Sequence, residues 1–227
     1  MIRRIAGVVA VALAFSVVSR ALVDLPERTA GLALEAERSL GRSGVTNPVT
    51  AVLLNYRAYD TLLEVAVLLL AIVAVWSFRP MSPSTVSRPA GPVLAALLRF
   101  LLPLLLLTGG YLLWIGAFAP GGAFQGGALL GGAIVLMLLG GLVGRRLLLR
   151  RALLRTGLWA GLAVFIATGL GVMLAGGRFL EYPEAHAGDL ILLVEAAALV
   201  SIGLTLGALF FGGRPDEGEG TPEDGGR

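Results

Sequence analysis

The sequence predicts an all-α, polytopic membrane fold of about six transmembrane helices, with both termini in the cytoplasm. Three observations carry that prediction. Of 227 residues, 56% are hydrophobic and only 15% are charged, whereas about a quarter are charged in a soluble domain. The apolar residues fall into runs near the roughly 20 residues that a helix needs to cross hydrocarbon. The charges gather between those runs, as a bilayer solvent requires. Such a composition excludes a soluble enzyme.

The runs are residues 5–23, 59–78, 92–117, 126–144, 156–175 and 189–211. The first follows Arg3 and Arg4, a pattern that also fits a cleaved signal peptide. It continues past Val18 without a clean A-x-A site, which favours a retained helix. Residues 24–48 read as a long outer loop. The second run starts behind a charged cluster. The stretch 79–91 is rich in proline and serine and reads as a cytoplasmic linker. Pro103 in the third run is expected to kink it. The end of the chain, 213–227, is glycine, proline and acid, a composition that does not bury a core. This divides the chain into a two-helix module over 1–80, a linker over 81–91, a four-helix domain over 92–212 and a tail.

Arginine sets the orientation, because all 18 basic residues are arginine. Arg3, Arg4, Arg79, Arg88, Arg145, Arg146, Arg150, Arg151, Arg155, Arg214 and Arg227 fall on one side if six helices alternate. Arg28, Arg38, Arg42 and Arg178 fall on the other, mostly among acids. The positive-inside rule makes the first side cytoplasmic.

A few charges lie where loops do not explain them. Arg57, Asp60 and Glu64 are spaced i, i+3, i+7, one stripe of a helix. Pairing of Arg57 with Asp60 leaves Glu64 free to titrate or to face a water-filled path. The alternative is an interfacial cluster that marks a helix end. Glu195 lies six residues into the last run, between Leu192, Leu193, Val194 and three alanines. Small neighbours indicate a packed face, so this carboxylate is expected to point into protein. Acids inside a membrane are functional candidates. Asp189 suits the positive end of a helix instead. His186 reads as a solvated loop residue, with a pH-dependent proton donor as the alternative; Arg99 reads as one that snorkels to the interface, with a buried pairing role second. With no cysteine and a single histidine, the chain offers no metal site and no cofactor ligand set. It has no basic aromatic surface for nucleic acid either.

Glycine supplies the remaining pattern. Gly-Gly pairs at 121/122, 126/127, 131/132 and 140/141 cluster after Pro120. Pro120, Gly121 and Gly122 read as a tight turn. Gly122/Gly126 and Gly127/Gly131 are small-xxx-small pairs that let helix backbones touch, and Gly157/Gly161 repeat the device.

Two motifs resemble a known family. The stretch N-P-V-T-A-V-L-L-N-Y-R-A-Y-D-T-L-L-E-V-A-V-L, residues 47–68, resembles the C-terminal segment of the A subunit of Mrp-type sodium/proton antiporters. It is also similar to the E subunit of archaeal membrane-bound hydrogenases. Asn47, Thr50, Arg57, Asp60, Thr61, Leu62 and Glu64 match, while Asn55 replaces an acid and Leu63 a glycine. The stretch A-F-A-P-G-G-A-F-Q-G-G, residues 117–127, resembles the signature of the antiporter B subunit, the MnhB-type domain. Pro120, Gly121, Gly122, Phe124, Gly126 and Gly127 match. The family's histidine is absent, and Phe118 or its neighbour stands in that place.

The resemblance implies a fusion of an E-like and a B-like module in the cell (inner) membrane. It implies a non-catalytic subunit of a complex that exchanges Na+ and/or H+, packed among other membrane subunits and lipid. It points to Glu64 as the ion-path residue, with Asp60 and Arg57 as electrostatic partners. No family motif falls on Glu195. Two alternatives stay open: a subunit of a redox-driven complex related to respiratory complex I, or a purely structural subunit.

Overall fold

The computed structural model describes residues 31–78, 91–142 and 151–211, with positions 12, 13, 15–17, 19, 20 and 23 before them. The chain divides into two compact units, Met1–Glu37 and Arg38–Arg227. The run expected to form the first span lies mostly outside the described residues. The positions described within it are helical. The linker over 81–91 and the tail also lie outside them, apart from Gly91.

Every regular element among the described residues is helical. In chain order they are α1 (Gly31–Ser39), α2 (Pro48–Ala51), α3 (Ala58–Phe78), α4 (Pro92–Ile115), α5 (Ala123–Leu139), α6 (Arg151–Leu174) and α7 (Ala187–Phe211). A 3-10 turn, Leu40–Arg42, follows α1, and a π turn, Val52–Tyr56, joins α2 to α3. The presence of α1 corrects the reading of 24–48 as loop throughout. The sequence GLALEAERS is made of good helix formers, but it is too short and too charged to register as a span.

Four helices among the described residues are long and apolar enough to cross a membrane: α3, α4, α6 and α7. The fifth, α5, has 17 residues. At 1.5 Å per residue it is about 26 Å long, short of a hydrocarbon core about 30 Å thick. It also starts at Ala123 rather than at 126, because the Pro120 turn releases the chain into helix earlier. The helix α4 runs on through Pro103.

The hub is α7. Half of its apolar window is buried, against 11% for α4. Its apolar residues are spread round the helix, so one face packs on its neighbours while Leu193, Val200 and Phe210 stay exposed. One buried cluster joins Ala51, Leu54 and Ala58 to Phe165, Val172, Ile191 and Val194. A second joins Val65 of α3 to Ala123 of α5 and to Ala198 and Ile202 of α7. A third joins Leu69 and Ile72 to Leu154 and Leu158 of α6. Segments on both sides of the proline-rich linker therefore pack into the same buried clusters.

Candidate functional site

The two motifs that stand 70 residues apart in sequence meet in space. Asn47 opens α2: its Oδ1 accepts from Val49 N–H at 3.1 Å, and Pro48 follows at the first helical position. Its Nδ2 donates to Gly116 O at 3.0 Å, to Ala119 O at 2.8 Å and to Thr50 Oγ1 at 3.0 Å. Thr50 Oγ1 in turn donates to Gly116 O at 2.6 Å. The backbone N–H groups of Thr46 and Asn47 both reach Ala117 O, at 2.9 and 3.0 Å. These bonds satisfy carbonyls of the turn that follows α4. They clamp the turn that leads into α5.

The turn itself folds back on α4. Gly122 N–H donates to Leu112 O at 2.7 Å, and a Cβ on Gly121 would come within 2.5 Å of that same carbonyl oxygen. Gly122 has φ +108°, a conformation that favours glycine. A Cβ there would also lie 2.5 Å from Glu195 Oε1.

That contact places Glu195. The residue is 5% exposed, and its Oε1 accepts from Ala123 N–H, the first residue of α5, at 3.3 Å. The expectation that this carboxylate points into protein holds. What it meets is the amide end of a neighbouring helix, where unpaired N–H groups and the helix dipole favour negative charge. Glu195 lies eight residues into α7, about 12 Å along the axis. The N-terminus of α5 therefore starts at that depth, inside the bundle.

The other acids lie on the far side of the same turn of α5. Arg57 follows the π turn with φ −125° and ψ 34°. It stands outside the helix that was expected to carry it. Its Nη2 still pairs with Asp60 Oδ2 at 2.5 Å. The π turn frees the Leu53 carbonyl, and Thr61 Oγ1 donates to it at 2.6 Å. Glu64 is exposed and lines a groove of about 810 Å³ with Arg57, Asp60, Phe124, Ile202 and Leu206. Adjacent residues of α5 thus serve both acids: Ala123 N–H binds Glu195, and Phe124 lines the groove of Glu64.

The glycines fit the close packing. A Cβ on Gly126 would lie 2.5 Å from Leu199 Cδ1 of α7 and 2.8 Å from Gly109 O of α4. A Cβ on Gly127 would meet Ile202 at 2.8 Å. Gly161 lies against Ser201, and Gly157 against the Leu204 side chain. Gly122 departs from the small-xxx-small reading: it precedes α5 and does not share a helix face with Gly126. His186 and Arg99 are exposed, and Asp189 sits in the first turn of α7. Among the described residues no cluster of His, Asp and Glu could hold a metal ion. Sequence reasoning did not select Asn47, Thr50 and Thr61 as site residues. Asn-Pro before a helix was the signal available, since it marks an N-cap.

Comparison with known proteins places this geometry. A family model described as a domain related to the MnhB subunit of Na+/H+ antiporter matches residues 93–213. The probable A/B subunit of a K+/H+ antiporter from Rhizobium meliloti (strain 1021) is 28% identical over 198 residues. That match takes in 75% of this chain, which spans only 19% of the relative. Two solved structures share the fold. One is a chain of the membrane-bound sulfane sulfur reductase, an archaeal respiratory membrane complex. Its TM-score is 0.62 at 24% identity, and the match covers 93% of this chain and 98% of that one. The other belongs to the Mrp complex from Dietzia sp. DQ12-45-1b. Its TM-score is 0.63 at 24% identity, covering 96% of this chain and 26% of that one.

Proposed function

The chain belongs to the family of domains related to the MnhB subunit of Na+/H+ antiporters, and from that premise we propose that it is a non-catalytic subunit of a multisubunit Mrp-type cation/proton antiporter in the cell membrane. It contributes to the ion path and to the packing of its neighbours. The observation that carries the reading is the first turn of α5. Its backbone holds the buried Glu195 on one side, and its Phe124 lines the groove of Glu64 on the other.

Each acid has a distinct part. Glu64 lies six residues into α3, within the span Ala58–Ser77. A carboxylate left facing lipid there is expensive. In the assembled complex, water, a cation or a partner group occupies the groove beside it. Asp60 and Arg57 neutralise each other at the mouth, so the charge that a passing cation or proton meets is that of Glu64. Glu195 contributes from the interior, at the amide end of α5. Asn47 and Thr50 hold the turn that presents that helix end.

The test is Glu64→Gln in the whole complex, reconstituted in vesicles, with ion-driven pH change as readout. Loss of exchange with normal assembly is expected. Full exchange with normal assembly overturns the ion-path role. Normal assembly after neutralising both Glu64 and Glu195 argues against a purely structural role for the two acids.

A second reading has its own observation, because the fold likeness spans 98% of a chain in a respiratory membrane complex. In that case the same acids would serve a redox-driven assembly. The proteins that co-purify with the chain separate the two readings: iron–sulfur subunits favour the redox assembly, and antiporter subunits alone favour the exchanger.

A further inference from the structure

A second cavity of about 510 Å³ opens between the start of α3, the loop after α6 and the 3-10 turn. Its lining carries both signs of charge: Arg42 and Arg178 with Glu181 and Glu184. Tyr56 and Tyr59 form the aromatic wall, and Tyr59 packs at a tilt against Phe179 with ring centroids 5.6 Å apart. Arg42 and Arg178, both left on the non-cytoplasmic side by the positive-inside pattern, therefore converge on one cavity.

The charges are available to a ligand. Arg42 Nε stands 3.9 Å from Glu184 Oε1, and both side chains are about two-thirds exposed. Arg178 makes no ion pair among the described residues. The loop that presents Arg178 and Glu181 is built, not loose. Leu180 between them has φ +62° and is 2% exposed. A non-glycine residue holds that conformation only where its surroundings fix it, and here Leu180 is anchored in the core. Glu181 N–H closes the turn on Arg178 O at 3.1 Å.

The cavity also lies at the level of a membrane surface. It borders the first residues of the α3 span and the loop between the α6 and α7 spans. Tyrosines at that level are interface residues. Phe179 rests on Gly169 of α6, beside an exposed apolar stripe of Ile166, Leu170 and Met173.

We propose that this cavity binds the headgroup of a zwitterionic phospholipid, with the phosphate on Arg42 and Arg178 and the ammonium group on Glu181 and Glu184. Guanidinium forks match phosphate oxygens. An ammonium group suits carboxylates flanked by aromatic faces. A purely anionic headgroup satisfies only the arginines and leaves two carboxylates facing it. The stripe on α6 takes an acyl chain, which a soluble phosphate ester lacks.

The test uses the full chain in detergent, with native mass spectrometry as readout. Phosphatidylethanolamine, phosphatidylglycerol and water-soluble glycerophosphoethanolamine are the three probes. Phosphatidylethanolamine is expected to bind in preference to phosphatidylglycerol. Arg178→Ala should weaken it about tenfold, the size of a lost charge-assisted hydrogen bond. Glu181→Gln with Glu184→Gln should abolish the preference while leaving phosphatidylglycerol bound. All three side chains are exposed, so an unchanged unfolding temperature is expected as well. Equal binding of the two lipids, or binding indifferent to these substitutions, overturns the proposal. Displacement of the lipid by equimolar glycerophosphoethanolamine assigns the site to a soluble phosphate ester and overturns the lipid assignment.

Discussion

Asn47 Nδ2 serves three acceptors while its Oδ1 caps α2. Asn47→Ala would take the side-chain donor from Ala119 O and leave Gly116 O to Thr50 Oγ1 alone, a cost of about 1–3 kcal/mol. A lower unfolding temperature in detergent is the expected outcome, larger than that of Asn55→Ala, whose side chain makes one bond, to Ser43 O at 3.2 Å. Equal effects would contradict the clamp. Tyr182 gives the opposite sign. Its hydroxyl is buried without a hydrogen-bond partner among the described residues, and burial pushes the phenol up to about 12. The folded state thus keeps a proton that an unfolded chain releases near pH 10. The stability tied to this group is full below pH 10 and is lost as pH rises toward 12. Tyr182→Phe removes the stranded hydroxyl. The variant should unfold no earlier than the parent at pH 7 and lose less stability in alkali. A marked fall at pH 7 would show that the hydroxyl has a partner.

At the scale of elements, the α5–α7 contact depends on absent side chains. Gly126→Val and Gly127→Val each force atoms into space held by Leu199, Gly109 O or Ile202. Overpacking of this kind costs about 1–3 kcal/mol. Gly132 has nothing within 4 Å of its would-be Cβ, so Gly132→Val is the matched control and should leave stability in detergent unchanged. Comparable losses at all three positions would mean that α5 packs by some other face. The shortness of α5 belongs to this scale too. A helix of full span length would carry its N-terminus to the surface. The Pro120 turn stops it lower, where Ala123 N–H reaches Glu195.

For the whole molecule, orientation follows from where arginine falls, and much of that arginine lies outside the described residues. The chain has no cysteine, so single introduced thiols report sidedness without background. If both termini are cytoplasmic, Ser87→Cys should react with an impermeant maleimide only from the cytoplasmic face. His186→Cys should react only from the other face. Labelling of both from one face would break the alternation of helices. Orientation also decides which leaflet supplies the lipid at Arg42 and Arg178.

The sequence by itself determined the solvent, the helical class, the approximate bounds of the apolar helices from residue 58 onward and the few charges out of place. Those are properties of single segments: hydropathy, period and composition act locally and can be read along the chain. It also identified Glu195 as inward-facing, since three alanines beside it allow a neighbour to approach. Only the tertiary structure decided what each acid meets. Glu64 and Glu195 are both acids within apolar helices, yet one faces a groove and the other caps α5. That difference depends on the angle at which α5 leaves its turn. The turn is set in part by Asn47 and Thr50, some 70 residues earlier. Contacts between distant segments leave no period in the sequence, because they are fixed by packing and by the pairing of buried polar groups.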